Sequence, residues 1–176
     1  QATRAFELRG LAVTHCPSCG LYSLHGEAVM VEAAAFDREH FADALRPLRL
    51  RNYRRILDDL EGRGGLRGKR VLDVGSSAGW FLSTAAARGA RAYGIEPDAY
   101  FYERARASLP PGVEVVHGYF PQDLPSSWGP FDVITFHDVF EHLDAPLAVL
   151  ESCREWLAKG GVTVLSLPSA GGFVYR

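Results

Sequence analysis

Asp73-Val74-Gly75-Ser76-Ser77-Ala78-Gly79-Trp80-Phe81 stands where an apolar run gives way to a helical one. Glycines there let the backbone turn sharply and approach a ligand closely, and the N–H groups of a helix start suit a polar or anionic group. A dinucleotide fingerprint needs glycine two and five places after Gly75. Ser77 and Trp80 hold those positions, so the pattern fails at two of its three glycines. Gly94-Ile95-Glu96-Pro97-Asp98 closes the next apolar run. A carboxylate about 20 residues beyond the turn can accept hydrogen bonds from both hydroxyls of a ribose and would repel a 2′-phosphate. The competing reading makes Asp98 a helix N-cap and leaves Glu96 solvated.

Phe136-His137-Asp138-Val139-Phe140-Glu141-His142 follows a later apolar run. His137 and His142 are the general-base candidates, because imidazole titrates near neutrality. The plainer readings are a wall residue for His137 and a capping or packing residue for His142. Asp138, Glu141 and His142 have a spacing that can put two carboxylates and an imidazole on one side of a turn, a set that suits magnesium. Otherwise they are polar residues that cap and line a pocket. Cys16 and Cys19 form a CxxC, from which two thiolates can grip one ion. A structural zinc needs four ligands, and Cys153, within a helical segment, is a poor partner. No thioredoxin-like βαβ context surrounds the pair.

The elements that must position these residues are legible from residue 69 onward. The runs Val71–Val74, Ala92–Ile95, Val113–Val116, Phe131–Phe136 and Val162–Leu167 alternate with helical segments at about 79–88, 98–108 and 144–158. Asp144 is the expected N-cap of the last helix, Pro146 lies in its first turn, and Gly160 and Gly161 are expected to close it. Near-continuous apolar strands alternating with helices indicate a mostly parallel sheet covered on both faces, a doubly wound α/β domain. Ligands bind such sheets beyond the carboxyl ends of the strands, here residues 75–80, 96–98, 117–120 and 137–142. Upstream, residues 1–27 read as a loop-rich or hairpin element. Residues 28–61 read as helical, with Pro47 ending or kinking a first helix. Arg46, Arg49, Arg51, Arg54 and Arg55 read as a solvated helix face.

The 176 residues are 47% hydrophobic and 23% charged, which argues for one folded domain with at most a small appendage. A net charge of -2 is not the footprint of a dedicated nucleic-acid binder. No apolar run has the length of a membrane helix, and three cysteines are too few for a disulfide scaffold. The expected compartment is the cytoplasm.

Val71-Leu72-Asp73-Val74-Gly75, Gly79 and Gly94-Ile95-Glu96-Pro97 together resemble the start of a class I S-adenosylmethionine-dependent methyltransferase. Phe131-Asp132-Val133-Ile134, Asp138–Leu143, Leu157-Ala158-Lys159-Gly160-Gly161 and Leu167-Pro168-Ser169 agree in order and spacing. The subgroup resembled is the ubiquinone-biosynthesis-like small-molecule methyltransferases, with a Rossmann-like fold. The resemblance implies that Asp73, Gly75, Ser76, Ser77 and Gly79 hold the methionine part of S-adenosylmethionine. It implies that Glu96 binds the ribose, Pro97 lies beside the adenine, and Gly118, Tyr119 and Phe120 border it. Phe136 and His137 would line the side near the transferred methyl. The family usually has glycine at Ser77 and often an acid near Tyr119, a role left here to ring stacking or to Asp123. Some relatives place an E-x-x-E-H where Asp138, Glu141 and His142 stand.

Some similar methyltransferases carry an N-terminal zinc ribbon ending in a C-x-x-C-G-L like Cys16–Leu21. That implies a missing upstream pair, or substitution by His15 or His25. The domains expected are a zinc-knuckle-like segment at 1–27, a helical lead-in at 28–65 and a cofactor-binding α/β domain at 66–176. The family sheet has seven strands where five can be counted, so a piece trimmed at both ends is expected, one that binds cofactor without turnover and whose open edges favour association. The function implied is methyl transfer to a small-molecule acceptor at oxygen, with no nucleic-acid or membrane partner. The rivals are a non-catalytic cofactor-binding or zinc-mediated interaction module and a nucleotide-dependent oxidoreductase.

Overall fold

Each of the five apolar runs forms a strand, and the last of them starts earlier than its sequence pattern indicates. The computed structural model describes residues 3–8, 11–20, 22–25 and 38–168, which fall into two units.

The first unit is an antiparallel sheet of β1 (Thr3–Leu8), β2 (Leu11–His15) and β3 (Tyr22–His25), in that order. The CxxC occupies the loop between β2 and β3, where the Gly20 N–H donates to the Cys16 carbonyl. His15 pairs with Tyr22 at the loop end of this hairpin, and His25 pairs with Ala12 three rungs away.

The second unit begins within α1 (Arg38–Gly62) and continues through β4 (Arg70–Val74), α2 (Trp80–Ala87), β5 (Arg91–Glu96), α3 (Ala99–Ser108), β6 (Glu114–His117), β7 (Phe131–His137), α4 (Pro146–Trp156) and β8 (Leu157–Ser166). Its five strands pair in the order β6-β5-β4-β7-β8, all parallel. Strand order reverses between β4 and β7, which makes the carboxyl ends of these two strands the crevice where an open α/β sheet takes its ligand.

Alternation along the strands divides the core. Leu72, Val74, Ile95, Ile134 and Phe136 pack with Cys153 of α4 on one face. Val71 and Val133 pack with Leu57 and Leu60 of α1 and with Phe81 and Ala85 of α2 on the other. Leu57 and Phe81 are fully buried, each contributing roughly 2 kcal/mol of apolar transfer. Gly94, at the middle of β5, leaves room for this layer: a Cβ there would stand 2.6 Å from Leu82 Cδ1 and 2.8 Å from Ser76 Oγ. Gly94→Ala is therefore expected to destabilise the domain by about 1–3 kcal/mol through overpacking. Denaturant titration reads this, and an unchanged midpoint would contradict it.

Three local expectations are corrected. α1 continues past Pro47, which therefore does not end a helix. The lost N–H would have bonded the Asp43 carbonyl on an exposed side of the helix, while Leu45, Leu50, Tyr53, Ile56, Leu57 and Leu60 hold the other side. The part of the helical reading before residue 38 lies outside the described residues. Asp144 is not the N-cap of α4: Ala145 takes that position without a side-chain bond, and Pro146 opens the helix. Gly160 and Gly161 do not close α4. The helix stops at Trp156, whose ring sits where a Cβ on Gly129 would go and 6.2 Å from the Phe131 ring. Leu157 then pairs at once with Phe131, and β8 takes up extra residues before Val162 pairs with Val133.

Candidate functional site

The turn after β4 is built on β5. The N–H groups of Gly75 and Ser76 both donate to the Ile95 carbonyl, and Gly79 donates to Ser76. Ser77, at φ 49, donates its N–H to Glu96 Oε2 at 2.6 Å, while Asp98 donates to Oε1 at 2.9 Å. The N–H groups of Gly75, Ser76, Ser77 and Gly79 are thus committed within the protein. The competing reading of the Glu96 segment is right about the cap and wrong about solvation. Asp98 caps α3, accepting from Tyr100 and Phe101, and Glu96 is buried rather than solvated. Burial raises the Glu96 pKa against the lowering by the two backbone donors. Each carboxylate oxygen keeps a lone pair for one more donor.

Asp73 and His137 form the second part. Asp73 is buried at the end of β4, and Thr135 Oγ1 donates to its Oδ1 at 2.7 Å. Desolvation lifts its pKa to about 8, Thr135 opposing and Glu96 adding to the rise. His137 Nε2 lies 3.9 Å from the same oxygen. The imidazole is wedged between Phe81 and Tyr53, ring centroids 4.4 and 4.8 Å away, and neither nitrogen has a hydrogen-bond partner. Burial, with Arg49 nearby, brings its pKa down to about 4. His137 is therefore neutral near pH 7, and Asp73 mostly protonated.

The structure brings Asp73, Gly75, Ser76, Ser77, Gly79, Glu96 and His137 to one end of the central strands. Pro97 is exposed beside Glu96, its carbonyl 2.9 Å from His117 Nε2. Gly118 donates its N–H to the Glu96 carbonyl. Tyr119 is 67% exposed, and Asp123 accepts from the Tyr119 N–H, which makes it a turn cap. Phe120 packs edge-on against Phe136, and Phe136 is buried in the layer opposite His137, so only its backbone borders the crevice. Asp138, Glu141 and His142 do not converge. Among the described residues no group of three or more His, Cys, Asp or Glu is placed to hold a metal ion. Asp138, turned by a left-handed backbone at φ 54, instead pairs with Arg49 at 3.7 Å. Cys16 and Cys19 are free thiols in their loop, and hydrogen bonds from Cys19, then Ser18, lower the Cys16 pKa.

A family profile described as a methyltransferase domain matches residues 40–173. The chain belongs to the methyltransferase domain family. A ubiquinone biosynthesis O-methyltransferase of Pseudomonas aeruginosa is 32% identical over 151 residues, 81% of this chain and 62% of the relative. The same-named protein of Vibrio cholerae is 33% identical over 119 residues, covering 66% and 49%. The chain thus spans less than two thirds of the length of these relatives. The plantazolicin methyltransferase BpumL, solved with a desmethylPZN analog and SAH, superposes with TM-score 0.62 at 16% identity over 72% of this chain and 50% of its own. A methyltransferase of Thiobacillus denitrificans in complex with S-adenosyl-L-homocysteine gives 0.54 at 22% identity over 68% and 47%. At such identities the likeness is one of fold.

In this methyltransferase domain, three contributors escape a reading of the sequence. Thr135 left one signal, a hydroxyl inside an apolar run. Arg49 and Tyr53 left none beyond helical spacing: α1 brings them against Asp138 and His137, so Arg49 does not belong to a solvated face. No described helix is long and apolar enough to cross a membrane.

Proposed function

We propose that this methyltransferase domain binds S-adenosylmethionine across the ends of β4, β5, β6 and β7 and transfers a methyl group to an oxygen of a small-molecule acceptor. The observation that carries the reading is Glu96, a buried carboxylate tied into the glycine turn where a dinucleotide would need its pyrophosphate. The named activity of the curated relatives supports oxygen as the methylated atom, and the neighbours crystallised with S-adenosylhomocysteine support the cofactor.

The residues present fit the group. Glu96 keeps acceptor capacity for two ribose hydroxyls, Pro97 flanks the adenine position, and Gly118, Tyr119 and Phe120 border it. Asp73, Gly75, Ser76, Ser77 and Gly79 form the wall for the amino-acid part, where the buried Ser76 Oγ and both His137 nitrogens lack partners. Arg49 supplies the cation for a carboxylate. When bound, S-adenosylmethionine supplies an electrophilic methyl on sulfur. The chain's own work is to orient the two reactants and exclude water. His137, Phe81 and Tyr53 form a dry wall. His142 takes the acceptor's proton on an imidazole nitrogen, favoured over His137, whose low pKa makes it a weak base at neutral pH. Cys16 and Cys19, two thiols on one tight loop, would supply two of the four ligands of a structural zinc.

Calorimetric titration with S-adenosylmethionine, S-adenosylhomocysteine and NAD tests the cofactor. Micromolar binding of the sulfur compounds alone is expected, and tight NAD binding would sink the reading. Methyl transfer from labelled cofactor to hydroxylated acceptors separates an enzyme from a binding module. Elemental analysis of Cys16→Ser/Cys19→Ser against the parent tests the zinc, which the variant should lack. Equal content in both refutes it.

A further inference from the structure

Inside the apolar run of β7 stands one hydroxyl. Thr135 is fully buried between Ile134 and Phe136, and the parallel register of β4 and β7 places it beside Asp73. Valine would be the ordinary residue in such a strand, because a buried hydroxyl costs free energy unless it is bonded. Here two acceptors are in reach. Thr135 Oγ1 lies 2.7 Å from Asp73 Oδ1 and 3.2 Å from the Leu72 carbonyl oxygen. His137 Nε2, 3.9 Å from the same Asp73 oxygen, is too far away to hold it. We propose that Thr135 is a positioning residue for the cofactor's amino group: its hydroxyl turns between Asp73 and Leu72, and so holds the carboxyl in one orientation with or without its proton.

A hydroxyl both donates and accepts. With Asp73 ionised, Thr135 donates to Oδ1. With a proton on Oδ1, the carboxyl donates to Thr135 Oγ1, and the hydroxyl hydrogen turns to the Leu72 carbonyl. Both states are bonded without movement of a heavy atom. The bond from Thr135 favours the ionised form, against the burial that opposes it. The other groups facing the carboxyl do not help. Glu96 of β5 adds to the rise, Tyr53 of α1 and His137 of β7 are neutral near pH 7, and Arg49 of α1 is paired with Asp138. Thr135 is therefore the group that brings an ionised Asp73 within reach of a ligand cation. The inference rests on the cofactor reading above, in which the ammonium of S-adenosylmethionine meets Asp73. On binding near pH 7 the carboxyl proton passes to solvent.

The test compares Thr135→Val and Thr135→Ala with the parent and with Thr135→Ser, across roughly pH 6.5 to 9.5. Denaturant titration reads the free chain, and calorimetry reads S-adenosylhomocysteine binding. The parent's stability should fall with rising pH and level off near pH 8. In the valine and alanine variants the levelling should move at least about one pH unit higher, the strength of a hydrogen bond to a charged group. Their affinity at pH 7 should be at least about tenfold weaker, and the gap should close as pH rises. A merely structural defect would weaken binding equally at every pH. Thr135→Ser should restore both profiles. A parent that binds no S-adenosylhomocysteine would overturn the cofactor reading and this role with it, and the free-chain profile would tell that failure from a Thr135 that does not hold Asp73. Levelling at the same pH in parent and variants, an affinity gap that is constant with pH, or a serine variant that follows the valine one would overturn the proposal itself.

Discussion

Glu96→Ala is expected to weaken S-adenosylhomocysteine binding by about two orders of magnitude. A hydrogen bond to a charged acceptor contributes roughly 1.5–3 kcal/mol, and two ribose hydroxyls bonded to one carboxylate give at least about 3 kcal/mol. Tenfold in affinity corresponds to about 1.4 kcal/mol. The substitution also removes the acceptor of the Ser77 and Asp98 N–H groups, so the glycine turn loses its tie to β5. Glu96→Gln separates the two effects: its amide oxygen keeps one backbone donor, and its NH2 cannot accept from a hydroxyl. Affinity should fall in both variants and the melting midpoint chiefly in the alanine variant. A change in dissociation constant below threefold for Glu96→Ala, with the fold intact by circular dichroism, would remove Glu96 from the site.

The second large effect is expected at Asp73, and it runs in opposite directions for stability and for binding. The buried carboxyl ionises near pH 8, against an ordinary 3.8. Between those limits the folded chain holds a proton that the unfolded chain has released, so stability falls as pH rises. His137, held near 4 against 6.5, has the opposite slope between pH 4 and 6.5, and the two nearly cancel there. From pH 6.5 to 8 His137 no longer offsets Asp73, whose slope is about 1 kcal/mol per unit. Asp73→Asn should flatten that slope and make the free protein more stable at pH 8. A cationic amino group on the ligand favours the ionised carboxylate, so cofactor affinity should rise about tenfold from pH 7 to a plateau above 8, and Asp73→Asn should lose this dependence. Denaturant titrations and calorimetry across that range provide both readings. Parallel slopes in parent and variant would show that Asp73 does not hold the proton.

Sheet and crevice were legible because they follow from period and punctuation. Five apolar runs broken by helices leave little choice but a parallel sheet, and Gly75, Gly79 and Glu96 mark the strand ends where ligands collect. The misreadings share a cause, which is that local signals yield to tertiary packing. Pro47 does not end its helix, because the buried side of α1 on either side of it is held by packing while the lost bond lies on the exposed side. Gly160 and Gly161 look like a helix stop, but Trp156 docks on Gly129 first. Asp138, Glu141 and His142 have a ligand-like spacing, yet the left-handed turn at Asp138 sends its carboxylate to Arg49. That contact, with those of Tyr53 and Thr135, joins residues roughly 60 or more positions apart, and spacing carries no record of such pairs.

The two backbone bonds to Glu96 have a kinetic corollary. Its carboxylate is already oriented in the free chain by donors from two separate loops, so a bound ligand is held by an acceptor that cannot easily swing away. Preorganisation of this kind lowers the ordering cost of association. Variants that loosen the turn at Ser77 should then alter residence time far more than encounter rate. Rapid-mixing traces would show this as faster release at nearly constant on-rate.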